Sequence, residues 1–469
     1  MLARVASITI LSLTLIMGPG LVPARATNPT LHAPIIIQSN SDFTVDNGVT
    51  GGNGTAADPY IIEGWEIASP PTYGILIQNT NAHFVIRDVD VHDAFSDSSF
   101  GAVDLEGVAN GRLENVTILD NNRLVGALVV QAQNWNYQAS TNITITHSRI
   151  LSNYGGVIIH GPSQNVTISN NLVQSNLVGI IVGAYTRDVS VIGNYVLSNT
   201  FGGISVTYCL CVVSGNIVDH NGFGGVYRYY GPSGYGISAI RRCECLIVDN
   251  TVSNNSIGLV INDAPPAFHN NFINNVVQVE SGCPFELCVR PFDDGYPSGG
   301  NYWSDYAVVD NCSGPNQDVC PSPDGIADQP LFVDSCFAPC STRPYIDHYP
   351  LREPFASLVT GKARFAPSSI LSQSTSKFMM AIIGLPQGFN ASNLLPRSIR
   401  LNETVAALRV SPVTQPNETQ VLIVTFNLTQ AKAFLSKPGL YLLKISGNIL
   451  TSKNFRPFEA TSTIHLLPG

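Results

Sequence analysis

Four short stretches, Asn171-Leu-Val-Gln-Ser-Asn176, Asn194-Tyr-Val-Leu-Ser-Asn199, Asn216-Ile-Val-Asp-His-Asn221 and Asn250-Thr-Val-Ser-Asn-Asn255, decide how this chain folds. Ser148 to Asn153 is a close variant and Asn271 opens a degenerate copy, so the first residues lie 23, 23, 22, 34 and 21 positions apart. Each closing asparagine is followed three residues later by glycine, in the pairs Asn153/Gly156, Asn176/Gly179, Asn199/Gly202, Asn221/Gly224 and Asn255/Gly258. An apolar run such as Gly179-Ile-Ile-Val182 then begins, and short alternating runs such as Val166-Thr-Ile168 and Val189-Ser-Val191 supply further strands. A unit this short cannot bury an apolar face alone. Stacked about 4.8 Å apart, successive units share an aliphatic core and pair their backbones with the units above and below. The expected fold is all-β, a right-handed parallel β-helix with three strands per coil of about 21–23 residues. Asparagine at the bends is expected to form ladders and to take left-handed backbone, and glycine to make a bend where a Cβ would clash. The competing leucine-rich repeat would need a Leu-x-x-Leu-x-Leu spacing that the sequence lacks.

Composition agrees. Among 469 residues there are 40 Gly and 30 Pro but only 12% charged residues, a balance that favours strands and tight turns over helices. The net charge of −9 leaves no basic stripe for phosphates and excludes nucleic acid as a partner class. Arg4, the apolar run Val5 to Met17 and Ala24-Arg25-Ala26 read as a signal peptide over residues 1–26, with the mature chain starting near Thr27. The alternative, a membrane anchor, needs about 20 apolar residues, more than this run holds. No transmembrane anchor is expected after signal removal, and the expected location is extracellular or on the cell surface. Ten cysteines, all between Cys209 and Cys340, suit an oxidising compartment. Asn-x-Ser/Thr sequons recur at Asn53, Asn115, Asn142, Asn165, Asn254, Asn402 and Asn427, although Asn and Thr are also common in β-helix turns.

The expected organisation is an N-terminal cap over 27–67, a β-helix over 68–282, a disulfide-rich C-terminal cap over 283–351 and a β-sandwich over 352–469. The last of these follows from the runs Phe378-Met-Met-Ala-Ile-Ile383, Val421-Leu-Ile-Val-Thr-Phe426 and Tyr441-Leu-Leu-Lys-Ile445, separated by turn residues. Asp58-Pro-Tyr-Ile-Ile-Glu-Gly-Trp65, the Asn-rich coils, Gly299-Gly-Asn-Tyr-Trp-Ser-Asp-Tyr306, Asp324-Gly-Ile-Ala-Asp328 and Ile346-Asp-His-Tyr-Pro-Leu351 resemble archaeal and bacterial surface β-helix proteins grouped with NosD and the CASH repeat, which are pectin-lyase-like. The resemblance spans about residues 32–351. It implies export and a polysaccharide or glycan ligand, with envelope proteins as further partners.

Several residues are candidates for chemistry. The long interval holds an insertion, Val226-Tyr-Arg-Tyr-Tyr-Gly-Pro-Ser-Gly-Tyr235, in which Tyr227, Tyr229, Tyr230 and Tyr235 beside Arg228 offer ring faces and a cation for a sugar and a uronate carboxylate. Trp135, Tyr137, His160, Tyr185 and Tyr208 fall near the matching turn of other coils and would extend an aromatic strip, unless the rings simply stack between coils. For a polysaccharide lyase, Arg228, Arg241 and Arg242 are candidate bases and Asp219, Glu244 and Asp249 candidate cation ligands; a hydrolase would need two facing carboxylates. No complete catalytic constellation is legible, and Arg241 and Arg242 also read as solvated turn charges. Counting back from Asn216 and Asn250 sets Cys209 opposite Cys243 and Cys211 opposite Cys245, as disulfides or as a four-thiolate Zn²⁺ or Cu⁺ site. Export favours disulfides. Local pairs Cys283–Cys288, Cys312–Cys320 and Cys336–Cys340 are expected beside them. No cofactor is required for a binding role, and Asp310, Asp318, Asp324 and Asp328 are candidate calcium ligands in the cap. The expected role is carbohydrate binding or envelope structure, with a polysaccharide lyase or glycoside hydrolase as one alternative. The other is a NosD-like copper-site maturation protein, which four Met without a metal-binding motif support poorly.

Overall fold

A computed structural model describes residues 29–468, apart from 95–100, 122–125, 133–137, 224–233, 241–242, 262–264, 282–291, 297, 334–344, 356–358, 386–393, 395–398, 403, 415–419, 436 and 451–454. The chain divides into two compact units, Met1–Phe355 and Ala356–Gly469.

The first unit is a parallel β-helix. One coil shows the pattern: Gly155–Ile159 lies in a first sheet, Gln164–Ser169 in a second and Leu172–Gln174 in a third, before Val178–Val182 returns to the first. The three sheets hold 10, 10 and 11 strands, and nearly all neighbours pair in parallel. Alternation sets the faces. Val157, Ile159, Val166, Ile168 and Val173 point inward, and their equivalents in other coils join them in one continuous core. Coiling starts earlier than the sequence suggests. Thr30–Leu31 pairs with Trp65–Glu66, and Ile35–Ile37 with Ile75–Ile77, so the segment expected as an N-terminal cap already contributes strands to the sheets. Val49–Gly51, antiparallel to Tyr60–Glu63, ends the second sheet. At the far end Trp303 stacks on Phe272 at 4.6 Å and Phe292 on Tyr345 at 5.0 Å, closing the core with aromatic rings.

Two buried asparagine ladders hold the corners. In the first, the backbone N–H groups of Ser148, Asn171, Asn194, Asn216, Asn250 and Asn270 each donate to Oδ1 of the next ladder asparagine, over 2.9–3.1 Å. Asn301 ends the series by donating to Asp347 Oδ2 at 2.8 Å. A second ladder runs from Asn121 through Asn153, Asn176, Asn199, Asn221 and Asn255 to Asn275. Three expectations shift in detail. Asn270, not Asn271, occupies the ladder site, and Asn271 pairs with Thr251 as the first residue of its strand. Left-handed backbone falls on the residue before the ladder asparagine, as at Asn170 (φ 56°), Ser175 (58°), Ser198 (53°) and His220 (54°), because the ladder side chain must turn inward from ordinary backbone. The glycine column is Gly156, Gly179, Gly203, Gly236 and Gly258, so Gly202 is one residue out of place and Gly224 lies outside the described residues. These glycines serve close approach rather than a bend: a Cβ on Gly203 would lie 2.5 Å from the Gly236 carbonyl oxygen and 3.2 Å from Asn221 Nδ2.

The second unit is a single sheet that closes on itself. From Val359–Ala366 the order runs through Phe378–Gly384, Gln420–Asn427, Val405–Thr414, Arg400–Leu401 and Gly439–Leu450 to Phe455–Leu467, which pairs back with Val359–Ala366. The outcome is a sandwich-like barrel around its own core of Phe365, Met379, Val424, Phe426, Ile445 and Phe458.

Candidate functional site

The outward face of the first sheet carries an acidic cluster. In the strand Gly101–Glu106, Val103 and Leu105 enter the core, so Asp104 and Glu106 point the other way. Register stacks Glu106 between Gln78 and Gln131, giving a polar column across three coils. Gln131 Nε2 donates to Asp104 Oδ1 and to Glu106 Oε1, each at 3.2 Å, so one amide spans both carboxyl groups. The Gly101 N–H donates to Asp104 Oδ2 at 3.1 Å. Asp104 is fully buried, whereas Glu106, Gln131, Gln78 and Tyr73 are half-buried. Burial is the main cause that pushes the Asp104 carboxyl up to about 7, with the charge of Glu106 adding to it against the hydrogen bonds from Gly101 and Gln131. Glu106 is also raised by burial, and Tyr73 is pushed up to about 12, first by burial and then by the charges of Asp104 and Glu106.

Chemically, a carboxyl near 7 can carry a proton in neutral water, and a second carboxylate within one amide's reach resembles the paired acids of glycoside chemistry. Glu106 and Gln131 offer an acceptor and a donor to hydroxyl groups, with an aromatic ring alongside. Sequence reasoning passed over this site. The available signal was Asp104-Leu-Glu106, two acids at period two inside an apolar strand.

The residues expected to bind sugar are placed as follows. Trp135, Tyr137, Tyr227, Arg228, Tyr229 and Tyr230 lie outside the described residues. Tyr235 is not an open platform: it is 4% exposed, its ring lies against Gly202, and it accompanies Ile240, Val260 and Ile257 in a small apolar cluster. The reason is register, since Tyr235 is the first residue of a strand paired with Gly202–Thr207 and not part of the insertion. Gly222 and Gly234, at φ 89° and 97°, bound the inserted residues, and a Cβ on Gly222 would lie 2.3 Å from the Gly234 carbonyl carbon. Tyr185 and Tyr208 are 78% and 46% exposed on adjacent coils, linked by a bond from the Tyr185 N–H to the Tyr208 carbonyl.

Of the candidate lyase groups, Asp219, Glu244 and Asp249 fall among the described residues. Asp219 ends a strand of the third sheet and Glu244 begins one of the second, while Arg228, Arg241 and Arg242 lie outside the described residues. The proposed calcium carboxylates do not converge. Asp310 accepts from the backbone of Asp324 and Gly325 and pairs with Arg352, Asp328 accepts from Asn311 and Cys312, and Asp324 from Ile326. Among the described residues, these carboxylates and Asp318 do not gather closely enough to share one ion. Among the described residues only Cys209, Cys211, Cys243 and Cys245 gather closely enough for that. Cys211–Cys245 and Cys312–Cys320 are disulfides, and Cys209 and Cys243 are buried thiols with Sγ atoms 3.3 Å apart. Cys283, Cys288, Cys336 and Cys340 lie outside the described residues.

Three stacked parallel sheets, with a polar column on the outside of one of them, define a right-handed parallel β-helix protein. Residues 35–208 match a family model described as a right handed beta helix region. No curated protein matches the chain. Similar solved structures include PfbA, a surface adhesin of Streptococcus pneumoniae, at 12% identity and TM-score 0.29 over 55% of this chain and 75% of that one. Tailspike protein 2 of Escherichia coli O157:H7 bacteriophage CAB120 aligns at 11% identity and TM-score 0.34, covering 92% and 68%. The Dettilon tailspike protein aligns at 10% and 0.31, covering 84% and 82%. No helix among the described residues is long and apolar enough to cross a membrane.

Proposed function

We propose that this is an exported β-helix protein that binds a polysaccharide across the outward face of its first sheet. The observation that carries the reading is the Gln78–Glu106–Gln131 column, in register on three coils. Half-buried amide and carboxylate groups on a rigid sheet can meet several hydroxyls of one extended ligand without an ordering cost in the protein. The exposed rings of Tyr185 and Tyr208 supply sugar-stacking faces farther along the solenoid. The signal-peptide-like N-terminus and the disulfides support export. A hydrolase is the second reading, favoured by Asp104, whose carboxyl holds its proton to about 7 beside Glu106.

A glycan array probed with the mature chain, scored for binding and for release of reducing or unsaturated ends, tests both. Tyr73→Ala and Glu106→Gln should each weaken binding about tenfold or more. If cleavage occurs, Asp104→Asn should abolish it while leaving binding largely intact. Unchanged glycan binding in the Tyr73→Ala, Glu106→Gln double variant would refute the placement of the ligand.

A further inference from the structure

The thiol cluster has a geometry that two independent bridges would not need. Cys209 and Cys211 lie two residues apart on one coil, as do Cys243 and Cys245 on the next. Extended chain separates such neighbours by about 6.6 Å, and parallel side chains would keep their sulfurs roughly that far apart. Here the sulfurs converge. Cys243 and Cys245 Sγ are 2.9 Å apart and Cys209 and Cys211 Sγ 4.0 Å, while the diagonal from Cys209 to Cys245 is 3.5 Å. All four lie within 4.8 Å of one another in a wholly buried pocket.

We propose that, once reduced, these four sulfurs form a site for one soft closed-shell cation, Zn²⁺ or Cu⁺, that pins adjacent coils together. Tetrahedral zinc with bonds of about 2.3 Å to sulfur sets its ligands about 3.8 Å apart; Cys209 lies 3.3 Å from Cys243 and 3.5 Å from Cys245, and reduction frees the bonded Cys211–Cys245 pair to separate to that spacing. Cysteine sulfur is the ligand type that soft cations select. Loading balances simply. A dithiol reductant gives two electrons and two protons to the Cys211–Cys245 bond, becoming a disulfide itself, and the cation then displaces the protons of the thiols that bind it. The site also ties off the coil that carries the insertion, because residues 212–242 run from one cysteine pair to the other.

The test uses the full mature chain, reduced without oxygen, desalted and titrated with Zn²⁺ and in parallel with Cu⁺; Co²⁺ serves as the spectroscopic probe. The expected result is one ion per chain with protection of Cys209, Cys211, Cys243 and Cys245 from alkylation by peptide mapping. Co²⁺ should give the intense visible bands of a tetrahedral thiolate site. Cys209→Ser and Cys243→Ser should lose the ion, whereas Cys312→Ser should keep it. Alkylation mapping of the unaltered chain with and without metal decides the matter even where a variant fails to fold. Full alkylation of the four cysteines despite excess metal would overturn the proposal. So would a pair of disulfides that resists reduction in the folded chain, or metal binding that survives both serine variants.

Discussion

Replacing Asn194 by Ala removes the centre of a buried ladder, and its cost can be worked from the bonds. Asn194 Oδ1 accepts from the Asn171 N–H and from Asn171 Nδ2, both at 3.0 Å. Its Nδ2 donates to the Ile168 carbonyl at 2.9 Å and to Asn216 Oδ1 at 3.0 Å. Alanine deletes these four bonds and a fifth, from Nδ2 to the Ile192 carbonyl at 3.3 Å, in a place closed to water, since Asn171, Asn194 and Asn216 are all 0% exposed; the Ile192 carbonyl keeps the Asn170 N–H. A buried polar group left unpaired costs about 1–3 kcal/mol. Asn171 Nδ2 keeps a bond to the Ile145 carbonyl, and Asn216 Oδ1 keeps the Asn194 N–H, so two groups are fully exposed to the loss and about 3–5 kcal/mol is expected. The control is Asn165, whose Nδ2 donates to Asn142 Oδ1 at 2.7 Å in an exposed ladder where water can replace it. Because Asn165 sits at φ 54°, the control substitution is glycine, which adds no left-handed strain, and it should shift stability by less than about 1 kcal/mol. Urea unfolding followed by far-UV circular dichroism measures the difference. Hydrogen exchange on the flanking coils supplies a local readout, as solenoids need not unfold in one step. Equal effects of Asn194→Ala and Asn165→Gly would refute the reasoning, which holds that several bonds lost out of reach of water cost more than one that water replaces.

Other outcomes are expected. Asp104 and Asp347 are buried carboxyls raised to about 7, chiefly by burial, so the folded chain holds their protons more tightly than the unfolded chain does. Their contribution is present below about pH 4 and lost as pH rises to about 7, worth up to about 4 kcal/mol each. Unfolding midpoints should therefore rise on acidification from pH 8 to 5, and Asp347→Asn should flatten that slope; a steeper slope in the variant would contradict the assignment. Gly203→Ala should destabilise by about 1–3 kcal/mol through the clash with the Gly236 carbonyl oxygen, whereas Gly51→Ala, with nothing within 4 Å of its Cβ position, should be nearly neutral in thermal melts.

The spacing of the asparagines and glycines was enough to read the architecture, because a solenoid repeats the same local problem in every coil. One donor at the corner and one missing Cβ at the strand entry solve it each time, so the solution is written in the sequence at fixed intervals. Register to the single residue was not readable. Asn270 against Asn271, and Gly203 against Gly202, differ by one position, and only the pairing of neighbouring strands chooses between them.

The site divides in the same way. The sequence by itself determined a stacked β-fold, an outward-facing alternation and cysteines opposite one another on adjacent coils, since each of these follows from period and spacing. Tertiary structure alone decided that Gln78, Glu106 and Gln131 share one column, that Tyr235 is buried and that four sulfurs face a common centre. Those facts depend on residue-level register and on how side chains lean once neighbouring coils meet, which the repeat period does not encode.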